Sequence, residues 1–156
     1  FHDLKLQLPQ LVMEPGRSLI GNAGVTIYTI GTIKKIKDLK NYLFVDGGMA
    51  DNPRPIMYQS NYTMAIANKS NESNSTLYTV AGKFCESGDI LANEIMLPEA
   101  EVGDLLIVFG TGAYNYSMAS NYNKSCKPAM ITVHNNDVQV IIKRETYDDL
   151  LRNELG

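Results

Sequence analysis

The amino-acid sequence predicts a mainly β protein whose short strands close, or nearly close, into a barrel. Segments rich in β-branched and aromatic residues recur along the chain, turn residues separate them at short intervals, and few stretches carry a helix signal. The 156 residues, of which 44% are hydrophobic, suffice for one domain with its own core. A closed or nearly closed β-barrel accommodates this pattern best.

The segment from Val25 to Ile36 gives the clearest strand signal, because eight of its twelve residues are β-branched. Gly31 inside it indicates a bulge or bend. Further extended segments are predicted at 41–48, 54–58, 61–68, 77–84, 89–97 and 104–109, with a polar surface loop at 68–78. Residues 128–145 are predicted to form a hairpin that turns at Asn135–Asn136. Thr146 and Asp149 form a capping-box pattern that predicts a short C-terminal helix.

The beginning of the chain does not follow the barrel pattern. Residues 1–17 suggest the end of a helix, then a buried strand at Leu11–Met13, then a loop. That order is typical of an α/β unit. We therefore expect residues 1–22 to be the remnant of a larger preceding domain and residues 23–156 to form the β-barrel, with apolar side chains around Leu11–Met13 exposed.

Composition argues against several classes of function. The net charge of −3 and the isoelectric point near 5.3 disfavour nucleic acid and anionic membranes as partners. No apolar run reaches the roughly 20 residues of a membrane helix, and the first ten residues lack the pattern of a secretory signal. Two cysteines are too few for a disulfide framework, and no Cys/His cluster has zinc-ligand spacing, so no metal site is expected.

Four short motifs concentrate charged, thiol and aromatic side chains. They are Glu14-Pro15-Gly16-Arg17, the segment 46–58 with Arg54 and Tyr58, the segment 85–89 with Cys85 and Glu86, and the segment 109–123, in which Gly110 and Gly112 precede Tyr114. Each alone has an ordinary explanation. Glu14 and Arg17 could form a surface ion pair worth at most about 1 kcal/mol. A Gly-x-Gly pair is a weak phosphate-binding signal.

In this order and at these spacings, the motifs resemble those of the fold-type III pyridoxal-phosphate-dependent decarboxylases, and within them the diaminopimelate decarboxylases. "EPGRS", "DGGM", "AGKFCESGDIL" and "VFGTGAY" carry the resemblance, which extends from Leu11 to the C-terminus. It implies a (β/α)₈ barrel followed by a Greek-key-like β-barrel of the alanine racemase C-terminal type. By this resemblance the chain holds the last strand of the (β/α)₈ barrel, the β-barrel domain and a short C-terminal helix.

The resemblance also implies roles for the motif residues around pyridoxal 5′-phosphate. Glu14 would stand at the pyridinium nitrogen, and Pro15, Gly16 and Arg17 would wrap the cofactor. Tyr114 would lie near the cofactor phosphate and the substrate. The cofactor takes up the electron pair that decarboxylation leaves behind. Cys85 would donate a proton in the active site of the neighbouring subunit of a cytoplasmic homodimer.

The charges match meso-diaminopimelate, whose distal end is a zwitterion. Arg17, Arg54 and Tyr58 would bind its carboxylate, Glu86 would bind its ammonium, and Tyr114 would also contact the substrate. The parent protein would then release CO2 and L-lysine. The Schiff-base lysine of the family lies upstream of residue 1, so this chain alone is expected to be inactive. A decarboxylase of ornithine, arginine or carboxylated polyamines, a non-catalytic regulatory homologue and a plain β-barrel binding module are the alternatives.

Overall fold

The computed structural model describes residues 3–5 and 7–155. Strand β1 (Val25–Ile36) runs through the middle of the main sheet. The first half of β1 pairs antiparallel with β6 (Leu105–Phe109), and the second half pairs antiparallel with β2 (Lys40–Val45). The register shifts between Ile30 and Thr32, which confirms the bulge predicted at Gly31. This bend lets one strand join two halves of a curved sheet.

The sheet has six strands in the order β3-β6-β1-β2-β4-β5. The remaining members are β3 (Met64–Ile66), β4 (Thr76–Ala81) and β5 (Ile90–Leu97). Strand β4 pairs parallel with β2, whereas the other pairs are antiparallel. The edge strands β3 and β5 approach each other, so the sheet is nearly closed. The predicted mainly β, barrel-like class is confirmed.

The core lies inside this curved sheet and draws side chains from all six strands. Its fully buried members include Ile30, Leu43, Val80, Leu97 and Leu106. These come from alternating positions of their strands, as expected for a sheet with one face on the core. Truncating one of the leucines to alanine would cost about 2–5 kcal/mol. The core therefore gives the connecting loops a rigid support.

A separate hairpin and a short helix complete the chain, as predicted. Strands β7 (Met130–His134) and β8 (Asp137–Ile142) turn at Asn135–Asn136, both of which have positive φ, as a tight hairpin turn requires. Helix α3 (Tyr147–Leu151) begins with the capping box of Thr146 and Asp149. The polar segment from Glu72 to Ser75 is exposed, in agreement with the predicted surface loop.

Leu11–Met13, predicted as a strand of the expected preceding domain, pairs with no other strand of the described residues, and its side chains are 75–79% exposed. That exposure itself was expected. The strand stays a prediction, because its neighbours would belong to that domain. The predicted helix end falls partly on residues 1, 2 and 6, which lie outside the described residues, and residues 3–5 form a turn. Residues 14–16 form no regular element, as expected for a loop, and a short helix, α1 (Arg17–Ile20), begins at the last residue of the motif.

The extended segment predicted at 54–58 is wrong, because Arg54–Tyr58 forms helix α2. Pro53, at the position before the helix, has a φ of −76°, and a second proline occupies the first turn. Proline is well suited to a first turn, since its fixed φ is helical and its missing N–H would have had no partner there. The helix ends at Gln59, whose backbone is left-handed. Arg54 and Tyr58 consequently share one face.

Candidate active site

The turn after β6 joins the fourth motif to the start of the chain. The Thr111 amide donates to the carbonyl of Gly24 at 3.0 Å, and the Gly112 amide donates to the carbonyl of Gly21 at 3.0 Å. A Cβ on Gly112 would overlap the carbonyl oxygen of Ile20. The Gly-x-Gly pattern thus includes a glycine required for close backbone approach. This contact brings the Glu14–Arg17 motif next to Tyr114.

The Arg17 guanidinium donates hydrogen bonds to the backbone of this turn. Its Nη1 donates to the carbonyl of Gly110 at 2.8 Å and its Nη2 to the carbonyl of Ala113 at 3.0 Å. The guanidinium carbon lies 5.8 Å from the centre of the Tyr114 ring. Gly16 packs so closely on the Tyr114 hydroxyl that a side chain there would collide with it. Two of the predicted cofactor-binding residues therefore fix the place of a third.

Arg54 approaches the same tyrosine from α2. Its guanidinium carbon lies 4.8 Å from the Tyr58 ring centre and 5.7 Å from the Tyr114 ring centre. We call Gly16, Arg17, Arg54, Tyr58 and Tyr114 the Tyr114 cluster. Both tyrosine rings are about half exposed, so the cluster has an open side. The structure thus brings together five of the predicted site residues.

The guanidinium of Arg54 has unused hydrogen-bonding capacity. Its Nε is buried without a hydrogen-bond partner, and its Nη1 meets only the Met118 sulfur, at 3.9 Å. Within residues 3–5 and 7–155, no carboxylate forms an ion pair with it. A buried donor without a partner costs free energy, and an anion placed there would recover it. This is the feature of the site that most clearly calls for a ligand.

Cys85 and Glu86 lie on an exposed loop that packs against α2. The Glu86 carboxylate accepts hydrogen bonds from the Gly88 amide at 3.3 Å and the Ser87 hydroxyl at 3.2 Å. Gly88 leaves no room for a side chain because Ile56 of α2 lies against it. The third motif is therefore next to the second, with the Cys85 thiol facing solvent.

Glu14 and Pro15 are exposed and lie outside the Tyr114 cluster. The Glu14 carboxylate forms no hydrogen bond or ion pair with another residue of the described ranges. Of the predicted site residues, these two and the Cys85–Glu86 pair are not members of the Tyr114 cluster. The predicted roles of all nine residues remain proposals.

Three buried polar side chains near the motifs have no counterpart among the sequence-based predictions. Asn52 is 1% exposed, and neither end of its amide has a partner. The Asn115 oxygen accepts from the Tyr62 hydroxyl at 3.4 Å. Asp89 is 3% exposed, and burial raises its pKa, although hydrogen bonds from the Phe84 and Met49 amides act against the shift. Asp89 after a glycine and Asn52 before a proline are typical of solvated turns, and Asn115 stands between two tyrosines in no motif that predicts burial, so no sequence signal identified these three.

Comparison with known proteins places this geometry in a family. Residues 12–112 match the family model described as the pyridoxal-dependent decarboxylase C-terminal sheet domain. The chain belongs to this family. Its sheet is the domain that the model describes, and three of the four motifs lie wholly within the matched residues.

Individual relatives extend the match over nearly the whole chain. Diaminopimelate decarboxylase of Synechocystis sp. is 53% identical over 146 residues, which are 94% of this chain and 31% of the relative. The diaminopimelate decarboxylase of Bacillus subtilis is 49% identical over 95% of this chain and 34% of its own length. The chain thus spans about a third of the length of these relatives.

Among solved structures, diaminopimelate decarboxylase from M. jannaschii superposes with a TM-score of 0.88 at 35% identity, covering 99% of this chain and 35% of that one. The same enzyme has been solved in co-complex with L-lysine.

Within the described residues, no helix is long and apolar enough to cross a membrane, and no group of three or more His, Cys, Asp or Glu side chains could hold a metal ion.

Proposed function

We propose that this chain is the C-terminal part of a cytoplasmic, homodimeric diaminopimelate decarboxylase that converts meso-diaminopimelate into L-lysine and CO2. The observation that carries the proposal is the Arg54 guanidinium, buried in part beside two tyrosines with an unpartnered Nε and no carboxylate. The identity of 53% to a diaminopimelate decarboxylase supports the same substrate.

The distal end of the substrate carries one carboxylate and one ammonium group. Arg54 would bind the carboxylate, with the Tyr58 hydroxyl as a further donor. Arg17 would add positive charge but few free donors, because two of its nitrogens already donate to Gly110 and Ala113. Glu86, on the loop against α2, would bind the ammonium. A diamine precursor such as ornithine has no distal carboxylate and would leave Arg54 without its anion.

Pyridoxal 5′-phosphate is the cofactor of the proposed reaction, and the Tyr114 cluster fits it because the Arg17 guanidinium beside the half-exposed Tyr114 ring supplies positive charge for an anionic aromatic group, which leaves the free Arg54 donor to the substrate. When bound, the cofactor takes up the electron pair left by departing CO2. Glu14 would accept a hydrogen bond from its ring nitrogen. Gly16 and Pro15 would approach it through backbone, and Tyr114 would contact both cofactor and substrate.

Cys85 would hold a proton on its sulfur and donate it to the reacting carbon in the partner subunit's site. A thiol is protonated at neutral pH and suits general-acid work. Its exposure on a loop agrees with a role across a subunit interface. The Schiff-base lysine would come from a preceding (β/α)₈ domain, so residues 1–156 alone would not decarboxylate.

The test is CO2 release by the full-length protein that contains these residues, loaded with pyridoxal 5′-phosphate. We expect turnover of meso-diaminopimelate and at least 100-fold lower kcat/KM for L-ornithine and L-arginine, with no turnover by residues 1–156 alone. Preference for a diamine precursor would refute the substrate assignment. A folded, cofactor-loaded protein that turns over none of the three would instead be the non-catalytic homologue.

A further inference from the structure

Two loops that hold or adjoin predicted site residues meet at one buried carboxylate. Loop 46–53 precedes Arg54, and loop 82–89 contains Cys85 and Glu86. The Asp89 Oδ1 accepts a hydrogen bond from the Met49 amide at 2.7 Å, and its Oδ2 accepts one from the Phe84 amide at 2.8 Å. Each oxygen therefore holds a different loop. Phe84 immediately precedes Cys85.

Further backbone contacts hold the loops around the same carboxylate. The Lys83 amide donates to the Gly47 carbonyl at 2.9 Å and joins the two loops, and the Gly82 amide donates to the Asp89 carbonyl at 2.9 Å and closes loop 82–89 on itself. A Cβ on either Gly48 or Gly82 would overlap the Asp89 carboxylate. Both loops thus leave space that an aspartate carboxylate fills. A glutamate, one methylene longer, would not fit this space without displacing one of the loops.

This arrangement has a cost. Asp89 is 3% exposed, and no Lys or Arg of the described residues forms an ion pair with it. Burying a carboxylate without a cation is unfavourable even when it accepts two amide hydrogen bonds, and burial correspondingly raises its pKa. A neutral residue would hold the core at lower cost. The charge is therefore better explained by the need for two acceptor oxygens aimed at two different loops.

We propose that Asp89 is a positioning residue that fixes the Cys85–Glu86 loop relative to the segment leading into Arg54. It touches neither substrate nor cofactor and acts through the backbone of the two loops. The consequence for catalysis rests on the proposed function, since it assumes that Cys85 donates the proton and Arg54 binds the substrate. The tie between the loops does not depend on that assumption.

The test compares Asp89→Asn with Asp104→Asn in the full-length protein. Asp104 is the control, because it is 5% exposed, accepts from the Glu101 backbone amide at 2.8 Å and the Asn68 side-chain amide at 2.7 Å, and holds neither loop; unlike Asp89, it also pairs with Lys69, at 3.2 Å. Asparagine retains one acceptor oxygen, so Asp89→Asn loses one of the two ties. Gly82→Ala is the second variant, for use if Asp89→Asn does not fold, since its Cβ would displace the carboxylate with the charge intact.

Residue-resolved amide hydrogen exchange at Met49 and Phe84 measures whether the two hydrogen bonds to Asp89 are intact. The kcat and KM values for meso-diaminopimelate measure the effect on catalysis. In Asp89→Asn or Gly82→Ala we expect exchange at least tenfold faster at one or both amides, kcat at least tenfold lower and KM raised. In Asp104→Asn we expect a lower melting temperature with exchange at both amides and both kinetic constants unchanged.

Unchanged exchange at both amides would overturn the proposal. Faster exchange with unchanged kinetic constants would overturn the positioning role. If the wild-type protein does not decarboxylate meso-diaminopimelate, the proposed function fails, and exchange at the two amides still decides whether Asp89 holds the loops together.

Discussion

Replacing Gly112 with alanine should destabilise the protein severely, because the backbone of three residues crowds the position where the new Cβ would lie. A Cβ there would overlap the carbonyl oxygen of Ile20 and crowd the Gly24 amide and the Gly21 carbonyl. Relief requires the turn to move away and break the hydrogen bonds from Thr111 and Gly112. Two lost hydrogen bonds at about 1 kcal/mol each, and an overpacking cost of about 1–3 kcal/mol, give about 3–5 kcal/mol.

The matched control is Gly31→Ala, since the nearest atom to a Cβ at Gly31 is the Phe44 carbonyl oxygen at an ordinary 3.8 Å. We expect this variant to remain within about 1 kcal/mol of the wild-type free energy of unfolding. Urea denaturation followed by circular dichroism measures both variants. A difference of less than 1 kcal/mol between them would show that the turn adapts at little cost and would refute the reasoning.

Three further predictions follow from the site and its surroundings. In the full-length protein, Arg54→Ala should raise KM for meso-diaminopimelate about 10- to 150-fold, the equivalent of about 1.5–3 kcal/mol, and leave cofactor absorbance unchanged; loss of cofactor would contradict the assignment to the distal carboxylate. Cys85→Ala should lower kcat at least about 100-fold with the dimer content, measured by sedimentation, unaltered, and normal turnover would exclude the thiol as proton donor. Burial raises the pKa of Asp104, but hydrogen bonds from Asn68, the Glu101 amide and Lys69 hold it below its usual range. The stabilisation that the carboxylate provides is therefore complete above about pH 5 and is lost as pH falls through the pKa of the folded state. Acid titration of Asp104→Asn should show a shallower loss of stability below about pH 4, and an unchanged slope would refute this.

The strands and the hairpin could be predicted from the sequence because their signals are local. Eight β-branched residues in β1 give a strong strand signal, and Asn135–Asn136 gives a tight-turn signal. Leu11–Met13 has an apolar signal but no strand neighbour among the described residues, because local propensity does not supply one. Helix α2 was missed because its five residues, two of them apolar and one proline, are too few to show helical periodicity.

The site was predictable in part for a related reason. The four motifs could be found from their order along the chain. Which arginine binds backbone carbonyls, Arg17, and which keeps free donors, Arg54, depends on distances between segments that are far apart in the sequence. Asp89 illustrates the same limit, since an aspartate after a glycine suggests a solvated turn. Only the folded chain brings Met49 and Phe84 to its two oxygens.

The two arginines of the Tyr114 cluster differ in what remains free to bind a ligand. Arg17 donates from two nitrogens to the carbonyls of Gly110 and Ala113, so it holds the turn that carries Tyr114. Arg54 has an unpartnered Nε and a weak contact with sulfur, so its donors remain available to an anion. Lysine at position 17 would lose the fork that spans two carbonyls, whereas lysine at position 54 would retain the charge but not the planar pairing with a carboxylate. A site in which one arginine holds the fold and the other has free donors is suited to recognising a single carboxylate, as the proposed binding of the distal end of diaminopimelate requires.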